Sequence, residues 1–279
     1  MWIRGLTQYT READFSKRVR SRVVRPISIS NGSVGKPTFI IMGSFEDRRP
    51  FMSIPEEKFA SRREARPLRL ALIGMSGAGK TFWTRRIAET AVPAISCDDV
   101  IEEKLAPRLA AGGFAGINGV AAWMGWPDSP RYAEREAQYL AEEIATLDEI
   151  LSGLEKDSQK SLVLDTTGSV IYTGNHLLMR LRKLMKVVYL AASDAEQQLL
   201  IERYLGDPKP VLWRGAFVAK SGETPRETVA RCYPNLIAAR RQGYAALAHA
   251  TLHVAELRGL PYNAEAFLAK VEAAAGGGR

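Results

Sequence analysis

The segment Gly74-Met-Ser-Gly-Ala-Gly79-Lys80-Thr81 has the spacing of a glycine, four residues, then Gly-Lys-Ser/Thr. Glycines at those places let the backbone curl its amide N–H groups around an anion, and a helix starting at the last glycine turns its positive end on the same anion. Gly74, Ser76, Gly77, Ala78 and Gly79 would form this phosphate nest, Lys80 would reach the β- and γ-phosphates, and the Thr81 hydroxyl would ligate magnesium. ATP and Mg2+ are therefore the expected cofactors. The same device serves kinases, ATPases and GTPases. No Asn-Lys-x-Asp run for a guanine base occurs, and the chain beyond the loop is too short to leave much room for a motor ATPase.

Two further places put carboxylates where such a loop would use them. The short apolar run Val92–Ser96 ends in Ser96-Cys97-Asp98-Asp99, and the run Ser161–Asp165 ends in a carboxylate followed by Thr166 and Thr167. In an open parallel sheet, residues just past the carboxyl ends of strands face the ligand crevice. Asp98 or Asp99 would then orient an acceptor hydroxyl and take its proton, while the other caps the next helix. Asp165 stands where a carboxylate joins the magnesium shell, or else is a buried strand-end carboxylate satisfied by neighbouring amides. Thr166 and Thr167 are acceptor contacts or turn residues. Cys97 sits beside a carboxylate that disfavours a thiolate, which gives it a structural role.

Elements that hold these groups are read from hydrophobic patterning. Leu68–Ile73, Val92–Ser96, Ser161–Asp165, Lys186–Ala191 and Thr251–Ala255 are short apolar runs that predict strands. Helical spacing fills the intervals at Thr81–Glu89, Arg131–Leu151, Asp194–Leu205 and Thr224–His249. Alternation of this kind predicts an α/β domain with a parallel sheet covered on both faces. The Glu-rich stretch from Glu134 to Glu155 predicts the solvated face of a long helix. Trp123 and Trp126 fit core positions better than a ligand stack, and His176, His249 and His253 are scattered.

Charge divides the 279-residue chain. Residues 1–69 hold 15 Lys and Arg against 7 Asp and Glu, whereas residues 70–279 hold 24 of each, so the whole net charge of +8 lies in the first quarter. Residues 1–67 are expected to be a basic N-terminal extension, 68–272 the phosphate-loop domain and 273–279 a flexible tail. The extension has no aromatic interleaving or nucleic-acid motif, so a nucleic-acid partner is not expected. Its Glu12 and Asp14 weaken an organellar transit reading. No apolar run approaches the length of a bilayer span. With two cysteines and three histidines there is neither a disulfide framework nor zinc-ligand spacing. A cytoplasmic monomer or weak dimer acting on a small-molecule acceptor is the expectation.

From the phosphate loop to near the C-terminus the chain resembles the shikimate kinase family of small P-loop kinases. Asp98 stands at the second acid of that family's Asp-x-Asp, followed by Ile101-Glu102; Asn118–Trp123 resembles its short helix ending in an aromatic, and Tyr132–Glu136 its Phe-Arg-x-x-Glu. Lys209-Pro210-Val211-Leu212 is similar to the lid signature, Arg240-Arg-Gln-Gly-Tyr244 to the Arg-x-Pro-Leu-Tyr run, and Arg258–Pro261 to the adenine-binding loop. The resemblance implies a five-stranded parallel sheet of order 2-3-1-4-5 with a small lid. It implies a hydroxyl acceptor held by Asp98, an acceptor carboxylate bound by Arg240, a lid cation at Lys209, and adenine between Arg203 and Pro261.

Four departures fall on the acceptor side. Ser96 replaces the first acid, which helps hold magnesium through water. Ala133 replaces the Arg of Phe-Arg-x-x-Glu, with Arg131 close enough in sequence to substitute. Thr166-Thr167-Gly168 replaces a glycine triplet, leaving Gly168 alone to let substrate approach the backbone. Lys209 replaces the lid Arg, keeping charge but losing the bidentate fork. An acceptor other than shikimate is expected: a carboxylated metabolite first, a nucleoside, nucleotide or sugar-like molecule second. A nucleotide-binding module that no longer transfers phosphate and works through a protein partner is the alternative of another class.

Overall fold

A computed structural model describes residues 67–206 and 210–276. The basic segment up to residue 66, Lys209 and the last three residues lie outside them, as do the expectations placed there. In chain order the elements are β1 (Arg69–Ile73), α1 (Lys80–Ala88), β2 (Ala94–Ser96), α2 (Cys97–Ala111), α3 (Gly116–Met124), α4 (Tyr132–Lys156) and β3 (Leu162–Asp165). A 3-10 turn (Val170–Tyr172) leads to α5 (Asn175–Leu184), β4 (Lys186–Ala191), α6 (Asp194–Gly206), α7 (Pro225–Leu247), β5 (Ala250–His253), α8 (Val254–Leu257) and α9 (Ala264–Gly276).

The five strands form one sheet in the order β2-β3-β1-β4-β5, with every neighbouring pair parallel. Strand side chains alternate between faces, and both faces are covered. Ala71 and Ile73 of β1 join Leu164 of β3 and Val187 of β4 against residues of α2, α4 and α7 such as Ile101, Leu147 and Leu236. Leu70 and Leu72 point the other way, with Val163 and Val188, onto Trp83 and Ile87 of α1 and Phe267 of α9. Burial on both faces explains why β1, β3 and β4 read as apolar runs rather than alternating ones.

Register brings the polar strand ends together. Ser96 of β2 pairs with Asp165 of β3, which also pairs with Leu72 of β1, one residue before Ile73 and the phosphate loop. Helix α7 starts on a capping box: the Thr224 hydroxyl accepts from the Glu227 N–H, the Glu227 carboxylate accepts from the Thr224 N–H, and Pro225 occupies the first turn.

Some boundaries move. Strand β2 starts at Ala94 rather than Val92. The fifth strand ends at His253, and Val254 opens a one-turn helix. Helix α9 runs to Gly276, through Ala273, Ala274 and Ala275, so the first residues of the expected tail are helical; alanine is the strongest helix former. Among the described residues no helix is long and apolar enough to cross a membrane.

Candidate active site

The loop between β1 and α1 needs its glycines for closeness as well as curvature. Gly74 has φ +141°, and a Cβ there would lie 2.8 Å from the carbonyl oxygen of Leu190 in β4, so a side chain would force the loop off the sheet. The Ala78 N–H donates to Met75 O at 3.2 Å and closes the turn. Lys80 is buried, and its Nζ donates to Gly74 O at 3.1 Å and Met75 O at 3.2 Å. An ammonium has three N–H groups. One therefore stays uncommitted, and the other two are held by carbonyls that an incoming phosphate can replace.

One residue on, the Thr81 hydroxyl donates to Asp165 Oδ2 at 2.5 Å. The other oxygen, Asp165 Oδ1, is buried without a hydrogen-bond partner. Burial raises the Asp165 carboxyl above its ordinary range, against the opposing pull of Lys80 and Thr81. A strand-end carboxylate satisfied by neighbouring amides would have no such orphan. Ser96, the third residue expected at the metal, is the N-cap of α2, its Oγ accepting from the Asp99 N–H at 3.3 Å. The cap expected from one of the two acids is thus supplied by the serine, and Asp98 and Asp99 both sit in the helix's first turn. Among the described residues no three His, Cys, Asp or Glu side chains gather into a metal cluster.

A cavity of about 210 Å³ opens beside the loop, and its walls include Ser76, Lys80, Thr81, Ser96, Asp98, Gly168, Pro210 and Arg240. The Asp98 carboxylate accepts a hydrogen bond from the Tyr139 hydroxyl at 3.0 Å. Its pKa is raised by burial, with Lys80 and Tyr139 pulling the other way. Asp99 also lines the cavity but is exposed to solvent. Cys97 is a buried free thiol pushed up by burial and by the Asp98 carboxylate, in keeping with an inert structural role.

Arg240 comes to the cavity from α7 and is 2% exposed. Its Nη1 donates to Gly168 O at 2.9 Å, its Nη2 donates to Leu212 O at 2.7 Å, and Tyr172 lies under the guanidinium with its ring centroid 5.3 Å away. The Nε is buried without a partner, and among the described residues no ion pair is formed by Arg240. A buried cation without a counter-ion is costly and suits a site that receives an anion. Gly168 O is held from a second side by the Tyr244 hydroxyl. A Cβ on Gly168 would sit 3.4 Å from Arg240 Nη1 and 3.5 Å from Ser76 N, so this glycine lets the phosphate loop and Arg240 meet.

Two expected residues, Arg131 and Pro261, do not line this cavity. Arg131 is the exposed N-cap position of α4 and does not line the cavity, so it does not replace the missing clamp arginine. Arg135, one turn on, donates instead to Trp123 O. Pro261 is exposed in the turn between α8 and α9 and lies outside the cavity, although its neighbour Tyr262 meets Phe82 of α1 edge-on with centroids 5.6 Å apart. Arg203 lies on α6, its side chain outside the described residues.

Helix α4 supplies what the composition concealed. Tyr132, Glu136, Tyr139 and Glu143 share its buried face, so two members of the Glu-rich stretch are internal rather than solvated. Glu136 Oε1 accepts from the Arg214 N–H at 2.9 Å, and the Tyr132 hydroxyl lies 2.6 Å from Val211 O and accepts from the Trp213 N–H at 3.0 Å. Together they pin the segment after Lys209 against α4. Glu143 accepts from the hydroxyls of Thr167 and Ser169 beneath the cavity, and Ser169 lines it. Spacing of four, three and four residues from Tyr132 is the signal that places these side chains on one face.

No protein-family model and no curated protein sequence matches the chain. Among solved structures it is similar to shikimate kinase from Acinetobacter baumannii in complex with shikimate, at 27% identity over 77% of this chain and 93% of that one, with a TM-score of 0.46. It is also similar to shikimate kinase from Bacteroides thetaiotaomicron, at 19% identity over 67% and 86% with a TM-score of 0.42. A gluconokinase from Sinorhizobium meliloti aligns at 15% identity over 65% and 94%, with a TM-score of 0.28. With strands in the order β2-β3-β1-β4-β5 and a glycine loop turning from β1 into α1, the chain has a parallel α/β fold of the P-loop class.

Proposed function

We propose that this protein is an ATP-dependent kinase that transfers the γ-phosphoryl group to a hydroxyl of a small anionic metabolite. The observation that carries the reading is that one cavity is lined by Lys80, Thr81, Asp98 and Arg240; the first two would face the nucleotide and the last two the acceptor. The loop amides and Lys80 bind the triphosphate and offset charge on the transferring group. Thr81 and Asp165 would hold magnesium, for which the orphaned Asp165 oxygen is a fitting ligand, and the ion would screen the phosphate oxygens. Asp98 orients the acceptor hydroxyl and takes its proton as the new O–P bond forms; burial makes this carboxylate a better base than a solvated one. Arg240 binds the acceptor's anion. Lys209 adds the lid cation.

Phosphoryl transfer asks the protein mostly for positioning and preorganised charge, which is what these residues supply. ATP consumption screened against shikimate, gluconate, glycerate and nucleosides tests the reading. Turnover with a hydroxy acid is expected. Tight nucleotide binding without turnover on any of them would favour a nucleotide-binding module that acts through a protein partner.

A further inference from the structure

The floor of the cavity differs chemically from a glycine triplet. Thr166 spends its hydroxyl on Leu72 O at 2.8 Å, within the sheet. Thr167 and Ser169 both donate to the carboxylate of Glu143, Thr167 to Oε1 and Ser169 to Oε2, the latter at 2.7 Å. The Ser169 N–H donates to Thr167 Oγ1 at 3.2 Å. The two hydroxyl oxygens are 3.2 Å apart, but with both protons directed at the carboxylate neither donates to the other. Of the three buried residues only Ser169 lines the cavity. Its oxygen therefore offers lone pairs to a ligand and no proton.

We propose that Glu143 and Ser169 form a specificity-determining pair, Glu143 taking the Ser169 proton so that Ser169 selects acceptors carrying a second hydroxyl or an amine beside the phosphorylated hydroxyl. The inference rests on the cavity being the acceptor site of a kinase. The acceptor is then read at three points: its anion by Arg240, its reacting hydroxyl by Asp98, and a hydrogen-bond donor by Ser169. A carbonyl, ether or methylene facing Ser169 leaves a buried acceptor unmatched, which is how a polar site rejects an analogue lacking one group.

Protonation of Glu143 would undo this polarity, because a carboxyl O–H donates to one of the two hydroxyls and frees that hydroxyl's own proton. The ionisable groups facing Glu143 are Cys97 and Asp98 at the start of α2, Tyr139 one turn earlier on α4, and Arg240 of α7. Burial raises the Glu143 carboxyl to about 7, against the lowering effect of Thr167 and Ser169 and, more weakly, Arg240, while Asp98 adds to the rise. Selection is therefore sharpest on the alkaline side of neutrality.

The test is ATP consumption by the full chain at pH 8 with shikimate, gluconate and glycerate, each beside the analogues that lack a single hydroxyl, for the wild type and Ser169→Ala. For whichever acid turns over, one analogue is expected to lose about 10-fold or more in kcat/KM, and Ser169→Ala to close that gap with ADP affinity unchanged. Glu143→Gln, whose amide places an N–H donor where the carboxylate accepts, should narrow the same gap with the serine still present. Equal turnover of all analogues by the wild type, or a gap that survives Ser169→Ala, overturns the inference and leaves the kinase reading standing. Nucleotide binding with no consumption on any acid overturns the kinase reading, and the inference with it.

Discussion

The Tyr139 hydroxyl donates to Asp98 Oδ1 at 3.0 Å, tying the middle of α4 to the first turn of α2 at the edge of the cavity. The bond fixes which way the carboxylate faces and leaves its second oxygen for the acceptor hydroxyl of the proposed reaction. Tyr139→Phe keeps the buried ring and removes only the donor. A fall of about 10-fold in kcat is expected, with ADP affinity unchanged. Steady-state kinetics beside an ADP titration checks it.

Lys80 lies buried against the carbonyls of Gly74 and Met75. In the proposed reaction it would exchange those partners for charged phosphate oxygens, whose interaction would grow as the γ-phosphoryl group departs. Lys80→Ala is expected to lower kcat by about 100-fold or more and to weaken ATP binding as well. This combined loss separates Lys80 from Tyr139 in the same pair of assays.

Arg240 bridges Gly168 O and Leu212 O, joining the cavity floor to the segment between α6 and α7. A lysine there keeps the charge but cannot reproduce the fork. Arg240→Lys should raise the acceptor KM by about 10-fold and lower the melting temperature, because one of the two carbonyls loses its donor. An unchanged KM with a lowered melting temperature would make Arg240 purely structural.

Glu143 has a pH signature in stability. Its carboxyl is raised from 4.5 to about 7 by burial, so between those values the folded chain holds a proton that the unfolded chain has released. Stability from this group is complete below about pH 4.5 and is lost as the pH rises through 7. The change is at most about 3.5 kcal/mol, at roughly 1.4 kcal/mol per pKa unit. Glu143→Gln has no proton to lose. Denaturant unfolding at pH 5 and pH 8 should therefore show the variant gaining on the wild type at the higher pH.

Much of the fold was legible in the sequence because the decisive motif is local. Gly74 to Thr81 carries its meaning in eight consecutive residues, and the apolar runs at β1, β3 and β4 are unbroken because both sheet faces are covered. The sheet order came from the resemblance, since spacing alone does not order parallel strands. The residues that escaped depended on helix phase and on burial of charge. Arg131 stands just before α4, whereas Tyr139, two turns after Tyr132, shares its buried face. Glu136 and Glu143 sit in a run whose composition suggests a solvated surface, yet they lie in phase with Tyr132, Tyr139 and Leu147. Ser169 lies in a loop with no periodicity, and only the fold brings it to Glu143, 26 residues away in sequence.

Asp98→Asn removes the proposed base while leaving its neighbours in place. Asparagine keeps an oxygen for the Tyr139 hydroxyl but cannot accept the acceptor's proton. Single-turnover phosphoryl transfer to the best hydroxy acid, measured beside ADP affinity, is expected to fall by about 100-fold or more with the affinity unchanged. Transfer that persists within a few-fold of the wild type, or a loss that tracks ADP affinity alone, would contradict the role assigned to Asp98.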